Sequence, residues 1–204
     1  MAKKFCKDYD YYARPYIYEE ISKKISFVIQ ENGFDDEVAD LILNLYDYMF
    51  EKVLIGACHA ISSVLFVALC EMGYNPVLCI GECQKEGEKP FDHSWILLND
   101  KIIDLAIFMP LTDEIGAYGG MIIFDIDILS MKKTRLYYGI NSGLPFSNET
   151  QFALVQSFGE YMSNFPFEQD GLWSVLERIY VYDEELNLSK CKEKYKNVER
   201  KLVR

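Results

Sequence analysis

The apolar positions in the first third of the chain recur every three or four residues, which is the spacing of an amphipathic helix. One stripe predicts a helix over residues 16–31 that stops at Gly33, and its members are Ile17, Ile21, Ile25 and Val28. A second stripe predicts a helix that Asp35 or Asp36 caps and that ends near Gly56. Its members are Val38, Leu41, Leu45 and Tyr48 or Met49.

A third segment, "CHAISSVLFVALCEMG", is apolar on nearly all sides between Cys58 and Gly73. A helix without a polar face is typical of a central, buried position. The period then changes to that of strands in "NPVLCIGE", in a hairpin over residues 93–108 with a tight turn at Asn99-Asp100, and in "GGMIIFDIDIL" and "TRLYYGI". The order of helices, strands and helices predicts an α+β fold with an antiparallel sheet, in one domain over residues 1–204.

Helical spacing returns in the C-terminal region, residues 148–204. Two stripes carry it: Phe152, Val155, Phe158 and Met162, and then Trp173, Leu176 and Ile179. Residues 187–204 combine a narrow apolar seam with seven Lys or Arg and only two Glu, which predicts a basic amphipathic helix. We expect it to dock on the chain's own acidic body; a partner helix is the alternative.

The net charge of −11 argues against nucleic acid as a partner, because phosphate binding requires a basic surface. No apolar run approaches the roughly 20 residues that span a membrane. The basic start is not followed by an apolar stretch, so we expect no signal peptide, no membrane association and a cytoplasmic location. Half of the residues are hydrophobic, which is enough for a sizeable core.

The six cysteines form no tight even framework, and free thiols are the expectation in a reducing compartment. Cys79 and Cys83 are spaced as C-x3-C, but the chain has two histidines and no second cysteine pair, so a zinc site is only weakly indicated. We expect neither a metal nor a cofactor. Cys70 and Cys79 are interpreted as small core residues.

Cys58 differs from these cysteines because it opens a helix directly after Gly56-Ala57. Unpaired backbone N–H groups and the helix dipole stabilise a thiolate there, and the same groups can donate to an oxyanion. His93 begins a predicted strand, and Asp104 lies nearly opposite it on the next one. Asp104 can orient the imidazole while the other ring nitrogen faces Cys58. Asp92 is a competitor for this role, but strand alternation directs it away from His93.

The stretch "GACHAISSVLFVALCEMGYNPVLCIGE", followed by "HSWILLNDKIIDL", resembles the transglutaminase-like branch of the papain-like cysteine enzymes. In that family a Cys opens a buried helix, a His-x-Trp begins a later strand, and an Asp follows on the next strand. The resemblance covers about residues 54–108 and implies Cys58 as nucleophile, His93 as general base and acid, and Asp104 as the orienting residue. The His to Asp spacing is similar to that of lasso-peptide leader proteases.

The chain departs from related families at two points. The Arg-Gly-Gly of arylamine N-acetyltransferases is replaced by "VLIGA", and the glutamine that precedes the papain cysteine is missing from "FEKVLIGA". The sequence therefore does not assign the second oxyanion donor; Asn44, Tyr46 and Tyr48 lie upstream.

His59 points away from Cys58 by about 100° on a helix, which indicates solvent exposure or supporting packing. Trp95 can shield the site from water or simply fill the core.

These observations predict a thiol acyl-transfer enzyme with a Cys-His-Asp triad. Hydrolysis of a peptide or amide bond is the first expectation, with a peptide or protein as substrate. Transglutaminase-like or N-acetyltransferase-like transfer to an amine is the alternative, since the same triad serves both. The alternative from another class is a binding protein that keeps the fold without the activity.

Overall fold

The computed structural model describes residues 14–111, 116–166, 168–181 and 186–204. Cys6 lies outside these residues. The described part is mixed α+β, as predicted. Its helices are α1 (Arg14–Glu31), α2 (Asp36–Lys52), α3 (Cys58–Glu71), α4 (Asn148–Val155), α5 (Phe158–Ser163), α6 (Leu172–Ile179) and α7 (Leu188–Tyr195). No helix in these ranges has the length and apolar character needed to cross a membrane.

The sheet has eight strands: β1 (Val77–Lys85), β2 (Phe91–Leu98), β3 (Lys101–Asp104), β4 (Ile122–Ile123), β5 (Ile126–Asp127), β6 (Lys132–Lys133), β7 (Leu136–Ile140) and β8 (Lys201–Val203). The order is β6-β5-β4-β3-β2-β1-β7, and all of these neighbours are antiparallel. Both β7 and β8 pair with the same edge of β1. β8 is parallel to β1 and pairs with residues 79–81, and β7 pairs with the following residues, 82–85.

The buried core lies between α3 and the sheet. Every residue of α3 from Cys58 to Leu65 is buried, which confirms the expectation of a central helix. One hydrophobic cluster contains residues of α1, α2, α3, α5, α6 and α7 together with the inner residues of β1 to β4. α3 is therefore held on both sides, and its first turn is fixed relative to β2.

The β2–β3 hairpin turns at Asn99 and Asp100, as predicted, and both have the positive φ of a two-residue hairpin turn. Its register pairs Ile96 with Ile103. Extended by one step, this register places Asp104 opposite Trp95, so Asp104 is diagonal to His93 and not directly opposite. The observed partner of Asp104 is therefore two residues away from the predicted one. His93 and Asp104 still lie on the same face of the sheet, because side chains alternate with a period of two. β2 also starts earlier than predicted, at Phe91.

The predicted stripe from residue 148 to 162 is helical, but it is divided between two helices. α4 ends at Val155, and Ser157 begins α5 through a capping box with Glu160. Phe152 and Val155, two members of the stripe, are exposed by 52% and 80%. Local capping by Ser157 overrides the apolar spacing here.

The prediction of one helix over residues 187–204 is wrong. α7 ends at Tyr195, and Lys201–Val203 form β8 on β1. Helical spacing alone could not reveal that β1 leaves an unpaired edge beyond β7, where backbone hydrogen bonds favour a strand. The expected docking on the chain's own body is confirmed for α7, because Cys191 and Tyr195 are buried in the main core.

Gly81 makes the β1–β8 pairing possible. A Cβ atom on Gly81 would lie 2.2 Å from the carbonyl oxygen of Val203, a distance that real Cβ atoms do not tolerate. Gly81 is also the residue of β1 that pairs with His93 on β2. The C-terminal strand is therefore two strands away from the histidine of the candidate site.

Candidate active site

Cys58 occupies the first turn of α3, as predicted. The residue before it, Ala57, provides no side-chain cap, and the first backbone bond of the helix is that of Ile61 N–H to the Ala57 carbonyl. The N–H groups of the first turn therefore have no partner within the helix. Gly56 enters this turn with a φ of +68° and donates its N–H to Met109 at 2.8 Å, which ties the loop before Cys58 to the segment after β3.

His93 and Asp104 form a buried pair. His93 Nε2 lies 2.7 Å from Asp104 Oδ2, and the two side chains are exposed by only 6% and 0%. Asp104 also accepts the Tyr138 hydroxyl at 2.8 Å and the Ile107 N–H at 3.2 Å. Three donors thus hold the carboxylate in one orientation. Because Nε2 faces Asp104, the other ring nitrogen of His93, Nδ1, is left for the thiol side.

Cys58 and His93 shift each other's protonation. Burial raises the pKa of the Cys58 thiol, but the charges and hydrogen bonds of His59 and His93 outweigh burial and lower this pKa well below its ordinary value. Burial lowers the pKa of His93, whereas the Asp104 carboxylate and the Cys58 thiolate raise it to about 10. Both directions favour a thiolate–imidazolium pair at neutral pH.

The other described cysteines lack this environment. Burial raises the pKa of Cys70, Cys79 and Cys191 to about 11, and it raises that of Cys83 well above its ordinary range. Cys79 and Cys83 lie in a small apolar cluster with Trp95. The described residues contain no group of three or more His, Cys, Asp or Glu side chains that could hold a metal. Cys58 is thus the described cysteine with a lowered thiol pKa.

His59 is buried and does not point into solvent. Its Nδ1 hydrogen-bonds with Ser94 Oγ at 2.6 Å and its Nε2 with Thr150 Oγ1 at 3.1 Å. Ser94 lies on β2 next to His93, and Thr150 lies in the first turn of α4. His59 therefore links the nucleophile helix to the strand of His93 and to α4. Supporting packing, one of the two roles indicated by the sequence, describes these contacts, and the charge of His59 in addition lowers the pKa of the Cys58 thiol.

The Asp92 carboxylate is bonded to another segment of the chain. Its Oδ2 accepts the Ser147 N–H at 2.6 Å, which holds the start of α4. The strand alternation that directs Asp92 away from the imidazole is therefore present.

Trp95 is 1% exposed and packs at 5.1 Å against the ring of Tyr138, the residue that donates to Asp104. Trp95 thus supports the aromatic wall beside the His93–Asp104 pair.

Two of the upstream candidates for the second oxyanion donor are engaged elsewhere. Asn44 donates its side-chain amide to the Ile179 carbonyl, and Tyr48 donates its hydroxyl to Glu168. Tyr46 packs between aromatic rings of Phe50 and Phe108. The backbone N–H groups that open α3 have no partner within the helix, which makes them candidate donors to the oxyanion.

Two cavities meet at the start of α3. The first, which we call the Cys58 cavity, has a volume of about 500 Å³ and is lined by both Cys58 and His93. The second, the adjoining cavity, has a volume of about 790 Å³ and is lined by Ala57, Ala60 and Tyr161. Gly56, His59 and Glu149 border both cavities. The thiol thus lies in the Cys58 cavity, and the adjoining cavity begins at residues next to it in sequence.

Tyr138 and Thr150 are the site residues that sequence reasoning missed. Tyr138 lies in β7, which is separated from β3 by β2 and β1 in the sheet, so no hairpin spacing connects it with Asp104. Thr150 is 91 residues from its partner His59. The only sequence feature of Tyr138 is its place in the predicted strand "TRLYYGI", which does not specify its partner.

We compared the chain with protein-family models, with curated proteins and with solved structures, and none of them matches.

Proposed function

We propose that this chain is a thiol acyl-transfer enzyme of the transglutaminase-like, papain-like kind, and that it hydrolyses a peptide or amide bond. The observation that carries the proposal is the position of His93. Its Nε2 is bonded to Asp104 at 2.7 Å, and His59 and His93, which line the same cavity as Cys58, together lower the pKa of the thiol. A nucleophile, a base and an orienting carboxylate in this order form the arrangement that acyl transfer requires.

In the first half of the reaction, the Cys58 thiolate attacks the carbonyl carbon of the substrate. The oxyanion that forms accepts from the backbone N–H groups at the start of α3. The His93 imidazolium then gives its Nδ1 proton to the leaving amine, the C–N bond breaks, and a thioester on Cys58 remains. Asp104 holds the ring so that the proton is on the side of the leaving group.

In the second half, neutral His93 takes a proton from water. The resulting hydroxide adds to the thioester carbonyl, and the C–S bond breaks. The acid product leaves, and the thiolate–imidazolium pair is restored. If an amine replaces water, the same steps give a new amide, which is the transfer alternative.

An activated ester tests this proposal without knowledge of the natural substrate. p-Nitrophenyl acetate should release a burst of p-nitrophenolate equal to the enzyme concentration, with one acetyl group on Cys58 in the mass spectrum. Cys58→Ala should abolish the burst. The matched control Cys70→Ala should keep it, because burial holds the Cys70 thiol protonated.

His93→Ala should slow both acetylation and the release of acetate. A folded wild-type protein in which Cys58 stays free of acetyl while other thiols react would overturn the proposal and favour the binding protein. Added n-butylamine separates the two enzymatic outcomes, since amine transfer gives N-butylacetamide and hydrolysis gives acetate.

A further inference from the structure

The Cys58 cavity is acidic. Among the described residues, three with carboxylate side chains line it, and no Lys or Arg does. They come from three different elements: Glu82 from β1, Asp92 from β2 and Glu149 from the first turn of α4. The cavity therefore has a negative potential beside the nucleophile, on a chain whose net charge is −11.

Glu82 is the most informative of the three because it is only 3% exposed. Its described partners are neutral: Ser142 donates both its N–H and its hydroxyl to the two carboxylate oxygens. A buried carboxylate is costly without an opposite charge, and no ion pair of Glu82 is present among the described residues. A cation that enters the cavity would supply that charge.

The rest of the lining is apolar and aromatic. Phe91 and Tyr118 stack with their ring centroids 4.6 Å apart and form one wall, and Leu144 lies on the rim with 61% of its surface exposed. Such a wall suits a methylene chain, and aromatic faces attract a cation. The combination of an apolar wall and carboxylates matches a side chain with an apolar stem and a charged head.

We propose that the Cys58 cavity selects peptide substrates with a basic residue, Lys or Arg, at the carbonyl that is attacked or one position before it. This inference rests on the proposed function, since it takes Cys58 as the nucleophile. The stem packs on the Phe91–Tyr118 wall and the cationic head faces Glu82, Asp92 and Glu149. Because Cys58 itself lines the cavity, the side chains nearest the attacked carbonyl are the ones that enter it.

Peptide chloromethyl ketones test the selection directly, because a thiolate displaces chloride and the probe stays on the cysteine. Acetyl-Ala-X and acetyl-X-Ala chloromethyl ketones are compared with X as lysine, norleucine or glutamate. Norleucine keeps the stem of lysine and lacks its charge. In at least one of the two series we expect lysine to label Cys58 about tenfold faster than norleucine, and glutamate to be slowest.

Variants assign the preference to the carboxylates. Glu82→Gln keeps an oxygen that can accept from Ser142, and Glu149→Gln changes an exposed position. If one of these variants fails to fold, the other variant still tests the preference. Each should reduce the lysine-to-norleucine ratio several-fold, after each rate is divided by that of iodoacetamide. Glu177→Gln is the matched control, since it removes an exposed carboxylate of α6 and should leave the ratio unchanged.

Equal labelling of Cys58 by the lysine, norleucine and glutamate probes in both series would overturn the selection and leave the nucleophile in place. A lysine preference that survives Glu82→Gln, Asp92→Asn and Glu149→Gln combined would place its origin elsewhere and also overturn the proposal. If no peptide labels Cys58 and p-nitrophenyl acetate fails to acetylate it, the proposed function itself is wrong.

Discussion

His93 Nε2 lies 2.7 Å from Asp104 Oδ2, although the hairpin register places the two residues diagonally and not opposite each other. Diagonal neighbours on one face of a sheet are within reach of a long or aromatic side chain. The imidazole spans the distance, and the Tyr138 hydroxyl and the Ile107 N–H fix the carboxylate from two further directions. The orientation of His93 thus depends on two separate segments, residues 104–107 and β7.

Asp104→Asn should lower the turnover of an activated ester steeply, by about three to four orders of magnitude, with little change in the melting temperature. An amide can still accept from Ile107 but presents an N–H to His93, which favours the wrong tautomer. Asp92→Asn is the control, because an amide oxygen can still accept from Ser147. Its activity should stay within a few-fold of wild type. The reverse result would assign the orienting role to Asp92.

Tyr138→Phe should reduce the same activity roughly 5- to 30-fold, since it removes one hydrogen bond of about 1–2 kcal/mol to a charged group. Tyr137→Phe is matched to it: Tyr137 is the neighbour on the same strand and 55% exposed. Steady-state kinetics should show a lower kcat for Tyr138→Phe alone. Equal effects of the two changes would mean that the hydroxyl bond to Asp104 does not matter.

The pH dependence of alkylation follows from the pKa shifts. The Cys58 thiolate forms well below the usual range of a thiol, so its labelling rate should be flat from about pH 7 to 9. Cys70 and Cys191 should remain slow in this range and accelerate only towards about pH 11. Because the pKa of His93 is about 10, steps that need the imidazolium should decline as the pH rises through that value. A Cys58 rate that rises tenfold per pH unit up to pH 9 would contradict the ion pair.

Gly81→Ala should strongly destabilise the protein, because the new methyl group meets the Val203 carbonyl at 2.2 Å and the Trp95 ring at 3.2 Å. Thermal unfolding of the variant checks this. A chain truncated after Arg200 lacks the Val203 carbonyl. In that chain Gly81→Ala should lower the melting temperature much less. An equal decrease of the melting temperature in the full-length and the truncated chain would show that β8 does not pair with Gly81.

The sequence predicted the elements whose patterns are local. α1, α2 and α3, the turn at Asn99-Asp100 and the face shared by His93 and Asp104 all follow from apolar spacing and turn chemistry. The prediction failed where partners are distant along the chain. Lys201–Val203 pair with β1 across more than a hundred residues, and Tyr138 reaches Asp104 from a strand that no hairpin joins to it. These contacts depend on the final packing, which spacing does not encode.

The most direct test of the central claim is the native-state reactivity of each cysteine, measured by brief iodoacetamide treatment at neutral pH and mapped by mass spectrometry. Cys58 should be modified well before Cys70, Cys79 and Cys83, and His93→Ala should slow its modification by removing the imidazolium. Easy labelling of Cys6 alongside Cys58 would be compatible with this result, whereas Cys191 should stay slow because burial raises its pKa to about 11. An inert Cys58 in a protein whose Cys6 or Cys191 reacts would contradict the assignment of Cys58 as the nucleophile.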